Sequence, residues 1–171
     1  MLLELHREID ARTREIAASR PAWPCRKGCA ECCRRLADLP RLTAAEWDMV
    51  AEGLANQSVE TQAAIRGRIE SLAADRAPFT CPFLDRESES CLIYESRPVA
   101  CRTYGFYVER DRGLYCGEIE KRVDSGEFAD VVWGNVAGVD ARLASLGEKI
   151  GMLDSRTLLW LFDDAGKEER T

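Results

Sequence analysis

Apolar residues recur at helical spacing near the start of the chain. This pattern predicts a first helix over residues 2–19, because the spacing places apolar side chains on one helical face. The predicted inward face carries Leu2, Leu5, Ile9 and Ile16. Pro21 and Pro24 follow and are expected to end the helix.

Two further helices are predicted before residue 79. Thr43 and Glu46 have the spacing of a capping box, which marks a helix start. The apolar face of that helix carries Trp47, Val50 and Leu54. The next helix is predicted from a Ser58 cap to about Ala74. Its inward face carries Ile65, Ile69 and Leu72.

The pattern changes from residue 79 onward. The short apolar segments CPFLD and CLIYE are separated by the polar segment RESES, which predicts a β-hairpin at about 81–94. Proline suits the first helical position, so a helix is predicted to start at Pro98. Cys101 then lies in the first turn, where the helix dipole favours a thiolate. Residues 105–130 show no clear period and are predicted to be irregular.

The C-terminal segment, residues 136–164, again has helical periodicity. One helix is predicted on Val139, Leu143, Leu146 and Ile150, with Gly151 as its C-cap. Another is predicted from Ser155, with Leu158, Leu159, Trp160 and Phe162. We therefore expect a mainly α fold: a small helical domain, residues 1–171, around an irregular cysteine-rich metal centre within residues 23–117.

The composition shows more cysteines than the folding of such a chain requires. With 171 residues and 46% apolar content, the chain can bury a core without crosslinks, yet it has eight cysteines. The first residues are charged from Glu4 onward, and no apolar run has the length of a secretory core or membrane span. We therefore expect a cytoplasmic protein with reduced thiols and no membrane association. In that compartment, dense cysteine patterns indicate metal or redox chemistry more often than disulfides.

The charge balance excludes one class of partner. The net charge is −6 and the pI is near 5.0, whereas a general nucleic-acid binder needs a basic face to neutralise phosphates. No nucleic-acid partner is expected, and the pattern identifies no protein partner.

The strongest local motif is C-R-K-G-C-A-E-C-C at residues 25–33. Three thiolates in one tight loop can converge on one soft cation or cluster, and Gly28 gives the backbone freedom for the turn. Four later cysteines match the number needed to complete one or two four-sulfur sites. Because His6 is the only histidine, nearly every soft ligand must be sulfur. This donor set suits Zn²⁺ or an iron–sulfur cluster, and does not suit Mg²⁺ or Ca²⁺.

Cationic residues flank these cysteines. Arg97 and Arg102 lie on either side of Cys101 and are expected to brace a helix end or to bind an anionic cofactor. Because such cations can neutralise a negative cluster, an iron–sulfur cluster is slightly favoured over zinc. Adjacent Cys32 and Cys33 cannot easily both reach one tetrahedral ion. One of them is expected to serve a second site, a bridging role, or none.

In order along the chain, C-x3-C-x2-C-C, CPFLD, CLIYESRPVACRTYGF and an isolated Cys116 resemble the YkgJ-like cysteine-cluster family of zinc- or iron-chelating domains, which is related to flagellin lysine N-methylases. The resemblance covers about residues 23–117. It implies eight metal-ligand candidates: Cys25, Cys29, Cys32, Cys33, Cys81, Cys91, Cys101 and Cys116. Many family members have two residues in the first spacer, whereas three separate Cys25 from Cys29 here.

Two function classes remain open from the sequence. The first is a metal-binding module, and the second is a cluster-dependent enzyme of the protein lysine N-methylase or redox type. The first spacing, C-x3-C-x2-C, is also used by radical S-adenosylmethionine enzymes, but a mostly helical chain does not fit their parallel α/β barrel. No catalytic residue is assigned. A Ser-His-Asp or Cys-His site is not expected, because His6 lies away from every cysteine motif.

Overall fold

The computed structural model describes residues 1–37, 40–72, 77–110, 112–146 and 149–152. Helices predominate in these ranges, which agrees with the predicted mainly α class. The helices are α1 (Leu2–Ala18), α2 (Glu31–Arg34), α3 (Ala44–Ala55), α4 (Val59–Leu72), α5 (Val99–Thr103), α6 (Gly117–Asp124) and α7 (Val136–Ala144). A 3₁₀ turn covers Tyr94–Ser96. In these ranges no helix is long and apolar enough to cross a membrane.

In the part of the chain that the structure describes, the strands form three small sheets. The strands are β1 (Arg41–Thr43), β2 (Leu84–Asp85), β3 (Ser90–Cys91), β4 (Tyr107–Glu109), β5 (Arg112–Leu114), β6 (Gly134–Asn135) and β7 (Lys149–Met152). Strand β1 pairs antiparallel with β7, and β2 pairs antiparallel with β3. In the third sheet, β4 lies between antiparallel β5 and parallel β6. Each sheet is short, so the helices remain the main frame.

Several predicted elements are confirmed with small shifts. Helix α1 has its predicted extent, and Ser58 accepts a hydrogen bond from the Thr61 amide at the start of α4. The predicted hairpin at 81–94 is present as β2 and β3. Helix α5 starts one residue later than predicted, with Pro98 as its N-cap, and Cys101 lies in its first turn.

The prediction for residues 105–130 was wrong in part. This range contains β4, β5 and the whole of α6. The strands are three residues long, too short to produce a visible alternation of apolar and polar side chains. Strand β4 also pairs with β6, which follows much later in the chain.

The predicted C-terminal helix on Val139 and Leu143 was wrong at its end. Helix α7 stops at Ala144, and both Ile150 and Gly151 belong to β7 instead. The backbone of β7 pairs with β1, from the other end of the chain. Such a distant partner cannot be read from local periodicity. The helix predicted from Ser155 lies outside the described residues.

The buried apolar side chains form three clusters. The first core joins α3, α4 and the β2–β3 hairpin, and contains Leu42, Trp47, Val50, Leu54, Ile65, Ile69, Leu72, Phe83 and Ile93. The second core joins α1, α5, β4 and α7, and contains Leu5, Ile9, Val99, Tyr107, Val136, Val139 and Leu143. The third core contains Ile16, Trp23, Ile119 and Phe128. The cysteine-bearing loops run between these clusters.

Glu46 connects two helix starts. Its side chain is 1% exposed, and its carboxylate accepts hydrogen bonds from the Thr43 amide at 2.8 Å and the Thr43 hydroxyl at 3.0 Å. The other carboxylate oxygen accepts from the Val99 amide at 2.9 Å. The predicted capping box is thus confirmed, and the same carboxylate also satisfies an amide at the start of α5.

Arg102 joins α5 to α1. Its buried guanidinium donates from Nε to the Arg97 carbonyl at 2.8 Å and from Nη1 to the Asp10 carboxylate at 2.7 Å. Its Nη2 donates to the Glu95 carbonyl. These contacts place α5, and Cys101 within it, against the first helix.

His6 lies beside this ion pair. It is 4% exposed, and neither ring nitrogen has a hydrogen-bond partner among the described residues. Burial, the positive charge of Arg102 and, more weakly, that of Arg97 lower its pKa to about 4, although Asp10 opposes the shift. The imidazole is therefore neutral at neutral pH.

We expect Glu46→Ala to lower the free energy of unfolding by about 3 kcal/mol, because the Thr43 and Val99 amides lose a buried charged acceptor. Glu46→Gln should cost less, since it keeps one carbonyl oxygen. Chemical denaturation provides the measurement. Asp48→Ala, an exposed change on the same helix, is the control. Equal stability of the Glu46→Ala and Asp48→Ala proteins would contradict the assignment.

His6 should make stability fall with acidification. The unfolded chain binds its proton near pH 6.5 and the folded chain only near pH 4, so the unfolded state gains protons first as pH falls through this window. The loss should total about 3 kcal/mol. His6→Leu should lack this component when unfolding free energies are compared from about pH 7 to 4. Parallel pH curves for the two proteins would rule the effect out.

Candidate metal centre

The eight cysteines have free thiols, and all are partly buried. Each comes from a loop or a short element next to the apolar clusters. Cys25 and Cys29 precede α2, Cys32 and Cys33 lie on α2, Cys81 precedes β2, Cys91 ends β3, Cys101 is in α5, and Cys116 caps α6. The structure therefore supplies thiols from both halves of residues 23–117 to one region.

A tight turn brings the first two thiols together. The Cys29 amide donates to the Arg26 carbonyl at 2.9 Å, and Gly28 has a φ of 88°. A residue with a side chain rarely adopts this backbone conformation, so the predicted use of Gly28 is confirmed. Three residues separate Cys25 from Cys29, and the last of them, Gly28, lies in this turn.

One group of four cysteines lines a small pocket. Its walls include Cys25, Cys29, Cys32 and Cys116, together with Tyr104 and Gly105. The Cys25 thiol lies 3.8 Å from the Tyr104 carbonyl oxygen, and its electrostatic neighbours are Cys32, Cys29 and Cys116. Cys25 and Cys116 pack against the third core.

The other four cysteines are linked by one backbone hydrogen bond and by their effects on each other's pKa values. The Cys81 amide donates to the Cys33 carbonyl at 2.7 Å, and the Cys81 thiol raises the pKa of Cys33. Cys91 also raises the pKa of Cys33, and the pKa of Cys101 is raised by Cys32, Cys33 and Cys91, in that order. Cys81 and Cys91 pack against the first core.

Cys32 and Cys33 connect the two groups. Their sulfur atoms are 3.8 Å apart and share a thiol hydrogen bond. Cys32 is also an electrostatic neighbour of Cys91 and Cys101. The electrostatic effects of these thiols on one another thus connect all eight cysteines.

These thiols are neighbours rather than a preassembled coordination sphere. Within the described ranges, no three histidine, cysteine, aspartate or glutamate side chains already have the geometry to hold a metal ion. Sulfur atoms from several elements would have to move toward a common point. Formation of metal sites in proteins is commonly coupled to such ordering.

Several of these cysteines favour the neutral thiol form, because burial contributes to raising their pKa values. Burial is the main cause that raises the pKa of Cys25 to about 12, with contributions from Cys32, Cys29 and Cys116. The hydrogen bond from Cys32 lowers the pKa of Cys33, but the Cys81 thiol and burial outweigh it and raise that pKa to about 12. Burial also raises the pKa of Cys91 and Cys101. A bound cation is what would favour several thiolates here.

Arg97 is a cation whose charge affects several of these thiols. Its charge lowers the pKa of Cys25, Cys91 and Cys101, which partly opposes burial. The guanidinium lies 3.5 Å from the centre of the Tyr94 ring, and Nε donates to the Tyr94 carbonyl at 2.9 Å. The Lys27 ammonium is 5.0 Å from the same ring. This arrangement holds two cations near the cysteines, and the cation–π contacts were not anticipated from the sequence.

The other predicted site residue, Arg102, has a different environment. All three of its guanidinium nitrogens donate hydrogen bonds to protein oxygens. The structure thus assigns Arg102 a bracing contact between α5 and α1, and its cofactor-binding role stays a prediction. Tyr104 lines the four-cysteine pocket, whereas Tyr107 is buried in the second core.

Gly105 is a site residue that sequence reasoning did not identify. It has a φ of 87°, and a Cβ at this position would lie 2.8 Å from the Cys25 sulfur. The only sequence signal is a glycine next to Tyr104, which by itself does not indicate contact with a cysteine far earlier in the chain.

Comparison with known families gives an independent assignment of this region. Residues 24–126 match the CxxCxxCC family, described as "Putative zinc- or iron-chelating domain". The matched range covers more than half of the chain and includes all eight cysteines, so the chain belongs to this family. No curated protein and no solved structure matches the chain.

We expect Gly105→Ala to displace the Cys25 thiol and to destabilise the protein more than Gly126→Ala does. Both glycines have positive φ, but nothing lies within 4 Å of a Cβ at Gly126. The shared backbone cost is about 1 kcal/mol, and the contact with Cys25 should add about 1–2 kcal/mol. Chemical denaturation of the two reduced, metal-free proteins measures this difference. Indistinguishable free energies would mean that Cys25 moves aside without cost.

Proposed function

We propose that this member of the CxxCxxCC family is a metal-binding protein that holds zinc or an iron–sulfur cluster through its cysteine thiolates, with the cluster slightly favoured. The family match supports zinc or iron chelation in general. The proposed ligands are the eight cysteines: Cys25, Cys29, Cys32, Cys33, Cys81, Cys91, Cys101 and Cys116.

One observation carries this proposal: a shared pocket, hydrogen bonds and mutual electrostatic effects connect all eight cysteines, although they are spread from residue 25 to residue 116. The 3.8 Å contact between the Cys32 and Cys33 sulfurs joins the pocket-lining group to the group around Cys81. Free cysteines that served only as small apolar side chains would have no reason to gather in this way.

The kind of donor limits the kind of metal. Sulfur ligands suit Zn²⁺ and iron–sulfur clusters, whereas Mg²⁺ and Ca²⁺ need oxygen ligands. The single histidine, His6, lies beside Asp10 and Arg102 in the region of the second core, and is not part of the proposed ligand set. The coordination sphere is therefore proposed to be thiolate only.

Positive charge near the cysteines favours an anionic metal–thiolate centre. The charge of Arg97 lowers the pKa of Cys25, Cys91 and Cys101. Lys27 and Arg97 both make a cation–π contact with the Tyr94 ring. Thiolates bound to a metal carry net negative charge, and a fixed guanidinium in a low-dielectric setting would stabilise that charge. This arrangement is the basis for slightly favouring the iron–sulfur cluster, whose potential responds to nearby charge.

The metal would also be a structural element. The cysteine-bearing segments have little regular structure of their own: β2 and β3 are two residues each, and α2 is four residues long. Binding of a metal by thiolates from these segments would hold them together, as in small domains that fold with their metal.

The test is anaerobic purification followed by elemental analysis for iron and zinc, sulfide determination and an absorption spectrum. We expect at least about one zinc per chain, or about four iron atoms with sulfide and visible absorption. Removal of the metal with a chelator under reducing conditions should lower the midpoint of thermal unfolding. His6→Leu is the matched control and should retain the full metal content.

Two results would contradict the proposal. One is a reduced protein with less than about one metal per chain, freely reactive thiols and a thermal midpoint that chelators do not change. The other is loss of the metal in the His6→Leu protein, which would show that imidazole and not sulfur alone is needed.

A further inference from the structure

The four-residue helix α2 places adjacent cysteines toward different surroundings. Successive side chains on a helix do not face each other, because the helix turns about 100° per residue. Cys32 lines the pocket beside Tyr104, whereas the Cys33 carbonyl accepts a hydrogen bond from the Cys81 amide, and the Cys81 thiol raises the pKa of Cys33. The two sulfurs are still only 3.8 Å apart, so α2 forms a boundary between two groups of thiols.

The first group is defined by the pocket and the third core. Cys25, Cys29, Cys32 and Cys116 line the pocket together, and the cysteine neighbours that affect Cys25 are the other three members. Cys116 reaches this site because it caps α6, whose Ile119 is fully buried in the third core. The spacing of the first motif and the position of one helix thus bring four sulfurs to one pocket.

The second group is defined by the β2–β3 hairpin and α5. The Cys33 carbonyl accepts the Cys81 amide, and Cys91 pairs with Leu84, whose amide donates to the Cys81 carbonyl at 3.1 Å. Cys101 follows from α5, which Arg102 holds against α1, and its neighbours include Cys33 and Cys91. Among the cysteines, Cys32 has the largest effect on the pKa of Cys101, ahead of Cys33 and Cys91, and Cys32 also raises the pKa of Cys91, so both thiols lie close to the boundary.

We propose that the eight cysteines form two four-thiolate metal sites on either side of α2. Site one consists of Cys25, Cys29, Cys32 and Cys116, and site two consists of Cys33, Cys81, Cys91 and Cys101. This inference rests on the proposed function and extends it by assigning each cysteine to one site. It accounts for the adjacent cysteines Cys32 and Cys33 in the sequence, because each site takes one of the two.

The shared helix also links the two sites. A metal in site one holds Cys32, and thereby orders the backbone that carries Cys33.

The partition can be tested by removing cysteines in pairs. Reduced protein is loaded anaerobically with Zn²⁺, and bound zinc is measured by elemental analysis and native mass spectrometry. The wild type should bind about two zinc ions. The pairs Cys29→Ser with Cys116→Ser, and Cys81→Ser with Cys91→Ser, each remove two ligands from one site and should retain about one zinc ion.

The matched control removes the same number of cysteines from different sites. Cys116→Ser with Cys81→Ser leaves three sulfurs in each site and should weaken both, so that bound zinc falls to well below one ion in the presence of a competing chelator. The partition is wrong if the double variants with both substitutions in one site lose as much zinc as the double variant with one substitution in each site.

A second measurement uses the wild type and does not depend on the folding of variants. Protein loaded with less than one equivalent of Zn²⁺ is alkylated and digested, and the protected cysteines are identified by mass spectrometry. Protection should appear in the sets Cys25, Cys29, Cys32, Cys116 and Cys33, Cys81, Cys91, Cys101. Protection of mixed sets would overturn the partition while leaving metal binding intact. Absence of any zinc-dependent protection would contradict the proposed function itself.

Discussion

The constraint on which this structure depends is the cost of bringing many sulfur atoms together away from water. Thiols can be buried cheaply as small apolar groups, but several thiolates in one place repel each other and lose hydration. The raised pKa values of Cys25 and Cys33 express that cost. A soft cation changes the balance, because it attracts the thiolates and replaces the water that they lose.

The rest of the fold positions these sulfurs. The first core fixes the hairpin that carries Cys81 and Cys91, and the third core fixes Cys25 and Cys116. Two buried charged side chains hold α5 between them. Glu46 accepts the Val99 amide at the start of α5, and Arg102 anchors α5 to Asp10 of α1. The cysteine-bearing segments have little regular structure. The contacts of Glu46 and Arg102 therefore fix the position of Cys101 in α5.

Local signals in the sequence were sufficient where the structure is locally determined. The stripe of apolar residues in α1, the capping box at Thr43 and Glu46, and the Gly28 turn each follow from interactions within a few residues. Prediction failed where the partner lies far along the chain. Strand β7 exists because β1 pairs with it, and β4 lies between β5 and β6, whose contacts have no local periodicity. The cation–π contact between Lys27 and Tyr94 was missed for the same reason, because Lys27 lies far earlier in the chain.

The sequence by itself determined the chemistry available to this protein. Eight cysteines, one histidine and a charged first motif define a sulfur donor set, and the order of the motifs identifies the family. Only the tertiary structure decided which cysteines are neighbours. Distances along the chain do not determine distances between sulfur atoms, because the packing of the hairpin, α5 and α6 around α2 brings residues 81–116 back to residues 25–33.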